Sequence, residues 1–405
     1  MSKEVVMKTE KLVQIEDHYG ANNYHPLDIV IKKAEGVWVE DVEGNRFMDF
    51  LAAYSAVNQG HCHPRLLKAL RSQAGKVTLT SRAFRNDQLP LFCQEVCELT
   101  DFEKVLPMNS GAEAVETAIK AARKWGEKVK GIAKNKAEII VCADNFHGRT
   151  TTIVGFSTED QYKDGFGPFT PGFKVIPFGD YKALEKTINK NTAAFMVEPV
   201  QGEAGINIPP KGFLKKAAAL CKKNNVLLIA DEIQSGLGRT GKMFAFEHED
   251  IKPDAVIIGK ALSGGFYPVS AFLSNAEVMA VFNPGDHGST FGGNPLGMAV
   301  AREALKVLVE EKLVQNSAKL GPWFMEQLGN MKFKSIKKVR GRGLFIGLVL
   351  NRPARPYCEA LMAEGMLCKE THENVIRFAP PLVVTKRELN MALRRVEKVF
   401  KKLDG

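Results

Sequence analysis

Four segments of this chain repeat one pattern, an apolar, β-rich run that stops abruptly at a polar residue. They are "EIIVCADNFHGRT", "AAFMVEPVQGE", "VLLIADEIQSGLGRTG" and "AVIIGKALSGG". Continuous apolar runs of this kind belong to strands covered on both faces, the usual state of a parallel sheet. Helix-like stretches separate them, such as Lys211 to Asn224, where apolar residues recur at helical spacing. Strands alternating with helices build a mostly parallel sheet flanked by helices, an α/β fold. Ligands of such sheets bind beyond the carboxyl ends of the strands. The groups that end the four runs (Asp144 to Arg149, Glu198, Asp231 and Lys260) are therefore expected in one crevice.

Lys260 is the awkward member of that set. Ala255 to Gly259 read as a buried strand, and a lysine at such an end commonly snorkels to water. Small residues and the pair Gly264–Gly265 follow it, as though room were left for something flat and large. A desolvated amine in that setting is a nucleophile.

"MNSGAEAVETAIKAARKW" supplies a further element. Ala112 to Trp125 are strong helix formers, and Ser110 with Glu113 fits a capping box. Gly111 lets the backbone approach a ligand, and free N–H groups of the first turn suit a phosphate. A capped helix needs no ligand, so this signal is weak alone. "GSTFGGNP", from Gly288 to Pro295, is a second small-residue loop compatible with phosphate.

At 405 residues the chain exceeds one small core. After about Gly293 its character changes. "NPLGMAVAREALKVLVEEKL" reads as one long amphipathic helix, and "VRGRGLFIGLVL" and "NVIRFAPPL" read as strands of a more alternating, antiparallel sheet. The expected division is a large domain over 51–293 and a small α+β domain over 294–405. Residues 1–50, with a hairpin signal at Val42 to Asn45, are expected to pack on the small domain.

The net charge is +10, but no basic run is interleaved with aromatics. That argues against nucleic acid and fits small anionic substrates. "MSKEVVMKTEKLVQIED" has no apolar core and does not read as a leader, and no apolar run approaches a membrane span. The seven cysteines include no C-x-x-C pair, which points to reduced thiols and a cytoplasmic protein. "GHCHP" places His61 and His63 on alternate residues with no second ligand cluster elsewhere, so no metal is assigned.

The crevice thus collects an amine (Lys260), two carboxylates (Asp231 and Glu198), an arginine (Arg149), an aromatic (Phe146) and a helix start. Pyridoxal 5'-phosphate explains the whole set. Its aldehyde takes a lysine, its pyridinium nitrogen a carboxylate, its phosphate N–H donors and its ring a stacking face.

At this point the chain also resembles a known family. "LLIADEIQSGLGRTGKMFAFE" followed by "PDAVIIGKALSGG" is similar to the signature of the class III, or subgroup II, pyridoxal-phosphate aminotransferases of fold type I. Within that family the ornithine branch is the most similar, through "NYHPL", "YSAVNQGHCHP", "LTSRAF", "FHGRT", "QGEAG" and "IRFAPPL". The resemblance implies that Lys260 is the Schiff-base lysine and Asp231 the partner of the ring nitrogen. It places Gln234 near the ring oxygen, Phe146 on the ring face, and Gly111 and Ala112 at the phosphate. Thr290 matches a residue that reaches the phosphate of a neighbouring subunit, which implies a homodimer with shared sites. Tyr24, Tyr54 and Arg149 match groups that hold the amino acid end of ornithine, and Glu203 with Arg377 matches a switch pair. The implied reaction moves the δ-amino group of ornithine to 2-oxoglutarate. One departure is His147, where some relatives carry tryptophan, and it is expected to tune the site.

Rival readings share the cofactor: an acetylornithine or a 4-aminobutyrate aminotransferase. Tyr54 favours free ornithine, because relatives acting on acetylornithine usually have a small residue there. A non-enzymatic binding protein needs neither Lys260 nor Asp231.

Overall fold

The structure is a computed structural model that describes residues 7–404. The first six residues of the segment read above as lacking a leader therefore lie outside the described residues. Strands β1 (Ile31–Glu35), β2 (Trp38–Asp41) and β3 (Arg46–Asp49) form an antiparallel meander. Its second turn falls at the Val42 to Asn45 signal. Asp41 Oδ1 closes it by accepting the N–H groups of Glu43 and Asn45 at 2.9 and 2.8 Å.

The central sheet contains β4 (Lys104–Met108), β5 (Glu138–Cys142), β6 (Phe173–Ile176), β7 (Thr192–Val197), β8 (Leu227–Asp231), β9 (Ala255–Ile258) and β10 (Ser270–Ser274). Their order is β4-β10-β9-β8-β7-β5-β6. Strand β10 runs antiparallel to both neighbours, and every other pair is parallel. Strands β7, β8 and β9 are buried at every residue, because helices cover both faces. Val141, Met196, Ile229 and Ile257 pack against the helix Gly111–Lys128. Their alternating neighbours Cys142, Val197 and Leu228 pack against the helix Phe213–Lys223.

Strands β11 (Ile336–Arg342), β12 (Phe345–Leu350), β14 (Lys369–Thr371) and β15 (Val375–Phe378) form an antiparallel sheet in the order β11-β12-β15-β14. The short β13 (Met366–Leu367) leaves it and pairs in parallel with β3, which ties the N-terminal meander to the C-terminal part of the chain. The long helix expected over Asn294 to Leu313 is Pro295–Glu310, and a second helix, Leu313–Gly329, follows it. The break is at Lys312, whose φ of 55° is left-handed and cannot continue a helix. Ala230, Val256 and Ile258 of the central sheet share one apolar cluster with Ile346, Ile376 and Phe378. That shared core fixes β15 against the strand ends. No helix among the described residues is long and apolar enough to cross a membrane.

Candidate active site

A cavity of about 250 Å³ opens at the carboxyl ends of β5, β7, β8 and β9. Gly111, Ala112, Phe146, His147, Glu198, Asp231, Gln234 and Lys260 line it. The strand-end groups expected to converge therefore do so, together with the start of the first long helix. Asp144 and Arg149 do not line the cavity and are both exposed, Asp144 turned to Thr158, whose hydroxyl accepts its N–H at 2.8 Å.

Lys260 follows the extended Gly259 with a left-handed φ of 45° and begins a single 3-10 turn, Lys260–Ser263. A non-glycine residue held there is strained, a feature typical of functional positions. Burial pushes its amine pKa down against the pull of the Glu203 and Asp231 charges, with Arg377 adding to the depression. The reading of Gly264 and Gly265 needs correction. Both have positive φ, and a Cβ at either would strike Leu66 or Val57 at 2.2 or 2.3 Å. They make room for the protein's own core and not for a ligand. Gly111 is similar, since a Cβ there would meet Ile233 at 3.1 Å.

Asp231, at the end of β8, is held from two sides. Its Oδ1 accepts the N–H of Ile233 at 3.0 Å, and its Oδ2 lies 2.6 Å from His147 Nδ1. Burial opposes protonation of His147, but the hydrogen bond and charge of Asp231 win and its pKa is raised. The Nε2 atom of His147 is buried without a partner. Glu198 Oε2 accepts the N–H of Phe146 at 3.1 Å. Burial pushes the Glu198 carboxyl up to about 8, opposed by His147 and reinforced by Asp231.

The helix start is built as its sequence requires. Ser110 and Glu113 form the reciprocal capping box, the Ser110 N–H donating to Glu113 at 2.7 Å and the Glu113 N–H to Ser110 at 3.2 Å. Among the described residues the N–H groups of Gly111 and Ala112 find no protein acceptor, the usual state of a first helical turn.

Deeper toward β15, Arg377 donates from Nη1 and Nη2 to Glu203 at 2.6 and 3.2 Å. The Arg377 side chain is 2% exposed and that of Glu203 25%. Burial alone would raise the Glu203 carboxyl, yet Arg377 outweighs it and holds the group at about 2. Gln234 adds a donor to Glu203 at 3.2 Å, and the Thr371 hydroxyl bonds the Glu203 carbonyl. The Tyr54 ring lies 5.0 Å from the Arg377 guanidinium carbon. Burial raises its phenol pKa, opposed by Arg377. It is presented by a left-handed turn, Ala52 to Ser55, with φ between 47° and 72°. Asp49 Oδ1 anchors that turn through the N–H groups of Leu51 and Ala52, and His61 grips Asp49 Oδ2 at 2.7 Å.

Arg149 sits at the exposed rim, 5.4 Å from the Phe146 ring and 3.6 Å from that of Tyr162. Tyr24 is 73% exposed on a segment tied to Arg355 and Lys369 through the carbonyls of His25 and Pro26. Thr290 is exposed and does not line the cavity. His63 meets Glu311 at 3.1 Å, so both histidines of the "GHCHP" stretch are engaged with carboxylates.

Sequence reasoning missed Tyr162, Thr371 and the His147–Asp231 bond. Tyr162 lies in an irregular loop that carries no periodic signal, and Thr371 arrives from a different sheet. Strand-end spacing did carry His147, which sits beside Phe146 in "FHGRT".

These residues fit pyridoxal phosphate. Free helix N–H groups suit its phosphate, and Phe146 offers a ring face. The fixed Asp231 suits a pyridinium, and Lys260 is a desolvated amine.

Comparison with known proteins agrees. The chain is 62% identical over 393 residues to the ornithine aminotransferase of Geobacillus sp. (strain WCH70), across 97% of this chain and 99% of that one. It superposes on the ornithine aminotransferase of Toxoplasma gondii, whose active site is partly occupied by PLP, with a TM-score of 0.97. Identity there is 45%, with 98% and 95% of the two chains covered. The acetylornithine aminotransferase of Elizabethkingia anophelis gives a TM-score of 0.90 at 49% identity over 98% and 100%. With residues 19–400 matching the sequence profile of the class-III aminotransferases, the chain belongs to that family.

Proposed function

We propose that this chain is a pyridoxal-phosphate-dependent ornithine δ-aminotransferase, passing the δ-amino group of L-ornithine to 2-oxoglutarate. The products are glutamate 5-semialdehyde and glutamate. One observation carries the substrate assignment: the inner arginine is masked and the outer one is open. Arg377 is neutralised by Glu203 and faced by Tyr54, whereas among the described residues Arg149 has no ion-pair partner and lies against the Tyr162 ring.

Bound in the cavity, pyridoxal phosphate supplies the electron sink that stabilises negative charge at the carbon beside the reacting nitrogen. The protein's residues do the rest. Gly111 and Ala112 would donate N–H groups to the phosphate, with Thr290 of a second copy completing that site. Asp231, held by His147 and Ile233, would balance the ring nitrogen, with Phe146 offering a face to the ring and Gln234 a donor to its oxygen. Glu198 sits against Asp231 and His147 and limits the charge of the cluster. Lys260 would hold the cofactor, and its amine, freed when the incoming substrate amine takes its place and shifted toward its neutral form, would move the proton at the reacting carbon. Arg149 holds the α-carboxylate of ornithine, and Tyr24 and Tyr54 hold its α-amino group. Glu203 keeps Arg377 from drawing that carboxylate inward.

The assembly in this reading is a homodimer in the cytoplasm, each chain divided into a large domain over 51–293 and a small one over 294–405. The exposed Phe84 and Phe291 are apolar surface of the kind a second copy covers. Single-turnover reactions with ornithine, N-acetylornithine and 4-aminobutyrate, followed by loss of the cofactor's visible band, test the assignment. Ornithine should react fastest, and faster reaction of N-acetylornithine would replace it with the acetylornithine reading.

A further inference from the structure

Arg149 is an unusual cation for a rim position. Among the described residues no carboxylate lies within ion-pair distance of it, whereas the inner Arg377 is paired with Glu203 through both Nη atoms. What Arg149 has is a ring. Its guanidinium carbon lies 3.6 Å from the Tyr162 ring centroid, which leaves no space for a nitrogen to point at the ring. The planar fork therefore lies over the Tyr162 ring and near its hydroxyl, and with no carboxylate on it among the described residues it is open to a planar acceptor. Tyr162 in turn stands edge-on to Phe146, with centroids 6.2 Å apart and an interplanar angle of 83°. Phe146 lines the cavity, so the ring against which a cofactor stacks and the platform under Arg149 are one wall.

The platform is itself braced. Tyr162 ends a short 3-10 turn, Asp160–Tyr162, whose preceding Glu159 lies 3.9 Å from His372 in the turn between β14 and β15. The preceding residue, Thr371 at the end of β14, bonds the carbonyl of Glu203. The loop under the open arginine and the residue that masks the closed one thus meet adjacent residues, His372 and Thr371.

We propose that Tyr162 is a positioning residue for substrate selection, a stacking platform that holds the Arg149 fork in register for the carboxylate of the substrate remote from the reacting amine. The proposal rests on the ornithine reading above. An arginine freed of its platform keeps its charge but must be ordered by each incoming carboxylate, and that cost falls on binding. It leaves the chemistry at Lys260 untouched.

Steady-state kinetics of the holoenzyme, wild type against Tyr162→Ala and Tyr162→Phe, test this. In Tyr162→Ala, KM for ornithine and for 2-oxoglutarate should rise roughly three- to thirty-fold, the range of a lost cation–π contact. Turnover should stay within about twofold, as expected when only uniform binding is removed. Tyr162→Phe retains the ring and should behave as wild type. The competitor 1,4-diaminobutane, ornithine without its carboxylate, should keep its inhibition constant in all three proteins. Unchanged KM in Tyr162→Ala overturns the inference, as does equal weakening of the diamine or a phenylalanine variant no better than alanine. Wild-type enzyme inactive on ornithine overturns the ornithine reading and this inference with it. Activity on ornithine with an indifferent Tyr162→Ala overturns the inference alone.

Discussion

His147 and Asp231 are joined by a 2.6 Å hydrogen bond between Nδ1 and Oδ2, with side-chain exposures of 1% and 4%. With the Ile233 N–H on the other oxygen, the carboxylate is held from both sides and is presented to the cavity already oriented. The departure from tryptophan in "FHGRT" therefore adds a partner to the acid we propose for the cofactor's ring nitrogen.

Replacing His147 by phenylalanine keeps volume and removes the bond. A hydrogen bond to a charged group contributes about 1.5–3 kcal/mol. If that anchoring is used in the reaction, kcat/KM falls roughly ten- to hundred-fold. Steady-state kinetics with cofactor saturating check it. Unchanged kcat/KM would show that Asp231 needs no help from His147.

Glu198 gives the cofactor-free protein a pH signature. Its carboxyl is pushed up by burial to about 8 from an ordinary 4.5. The folded chain then keeps a proton that the unfolded chain has released. The stability this group contributes is whole below the ordinary value and is lost as pH rises through about 8. From this group alone the loss reaches up to ~1.4 kcal/mol per pH unit inside that window. Urea midpoints between about pH 5 and about pH 8 measure it, and Glu198→Gln should flatten the profile. Identical slopes in both proteins would sink the prediction.

How much of this was legible before any coordinates depends on distance along the chain. Strands β7, β8 and β9 announce themselves because burial on both faces demands continuous apolar runs, and their ends carry Glu198, Asp231 and Lys260 by simple adjacency. The Ser110–Glu113 box is local, so it too was readable. The glycines after Lys260 were misread because their neighbours, Leu66 and Val57, lie in a remote part of the sequence. Tyr162 was invisible because an irregular loop brings it to Arg149. Tyr54, Glu203 and Arg377 came from family resemblance, since composition and spacing do not reveal that β15 docks across the cavity.

Lys260→Ala tests the covalent assignment. The side chain lines a preformed cavity, so the fold should persist with an unchanged far-ultraviolet spectrum. Borohydride, which fixes the cofactor on Lys260 in the wild-type protein, should fix none in the variant. Cofactor trapped on another lysine would remove Lys260 from its role.

We propose that the Glu203–Arg377 pair decides how one cavity takes two substrates. Ornithine must present its δ-amine to the cofactor, leaving its amino acid end remote, at Arg149. Glutamate must react at its α-carbon, which brings a carboxylate close to Lys260 and requires a cation there. Arg377 is that cation, and an unmasked Arg377 would pull ornithine's own carboxylate inward and present the wrong amine. Glu203 therefore stays on Arg377 while ornithine binds and leaves when the dicarboxylate arrives. The pair is formed by two direct bonds with a quarter of the Glu203 side chain exposed, so water can take over its solvation as it swings. Breaking a partly wet pair costs far less than stranding a buried charge, and the incoming carboxylate replaces Glu203 on Arg377. A static pair joining β15 to the cavity wall is the alternative. Glu203→Ala distinguishes them. With the mask gone, the glutamate half-reaction should quicken about tenfold, roughly 1.4 kcal/mol of competition removed. Ornithine should lose its strict δ-selectivity, with a fraction of product arising from the α-amine. Single-turnover rates with glutamate and product analysis with ornithine provide the two readings. Unchanged glutamate kinetics with strict δ-selectivity would reduce the pair to a structural tie and leave the aminotransferase assignment standing.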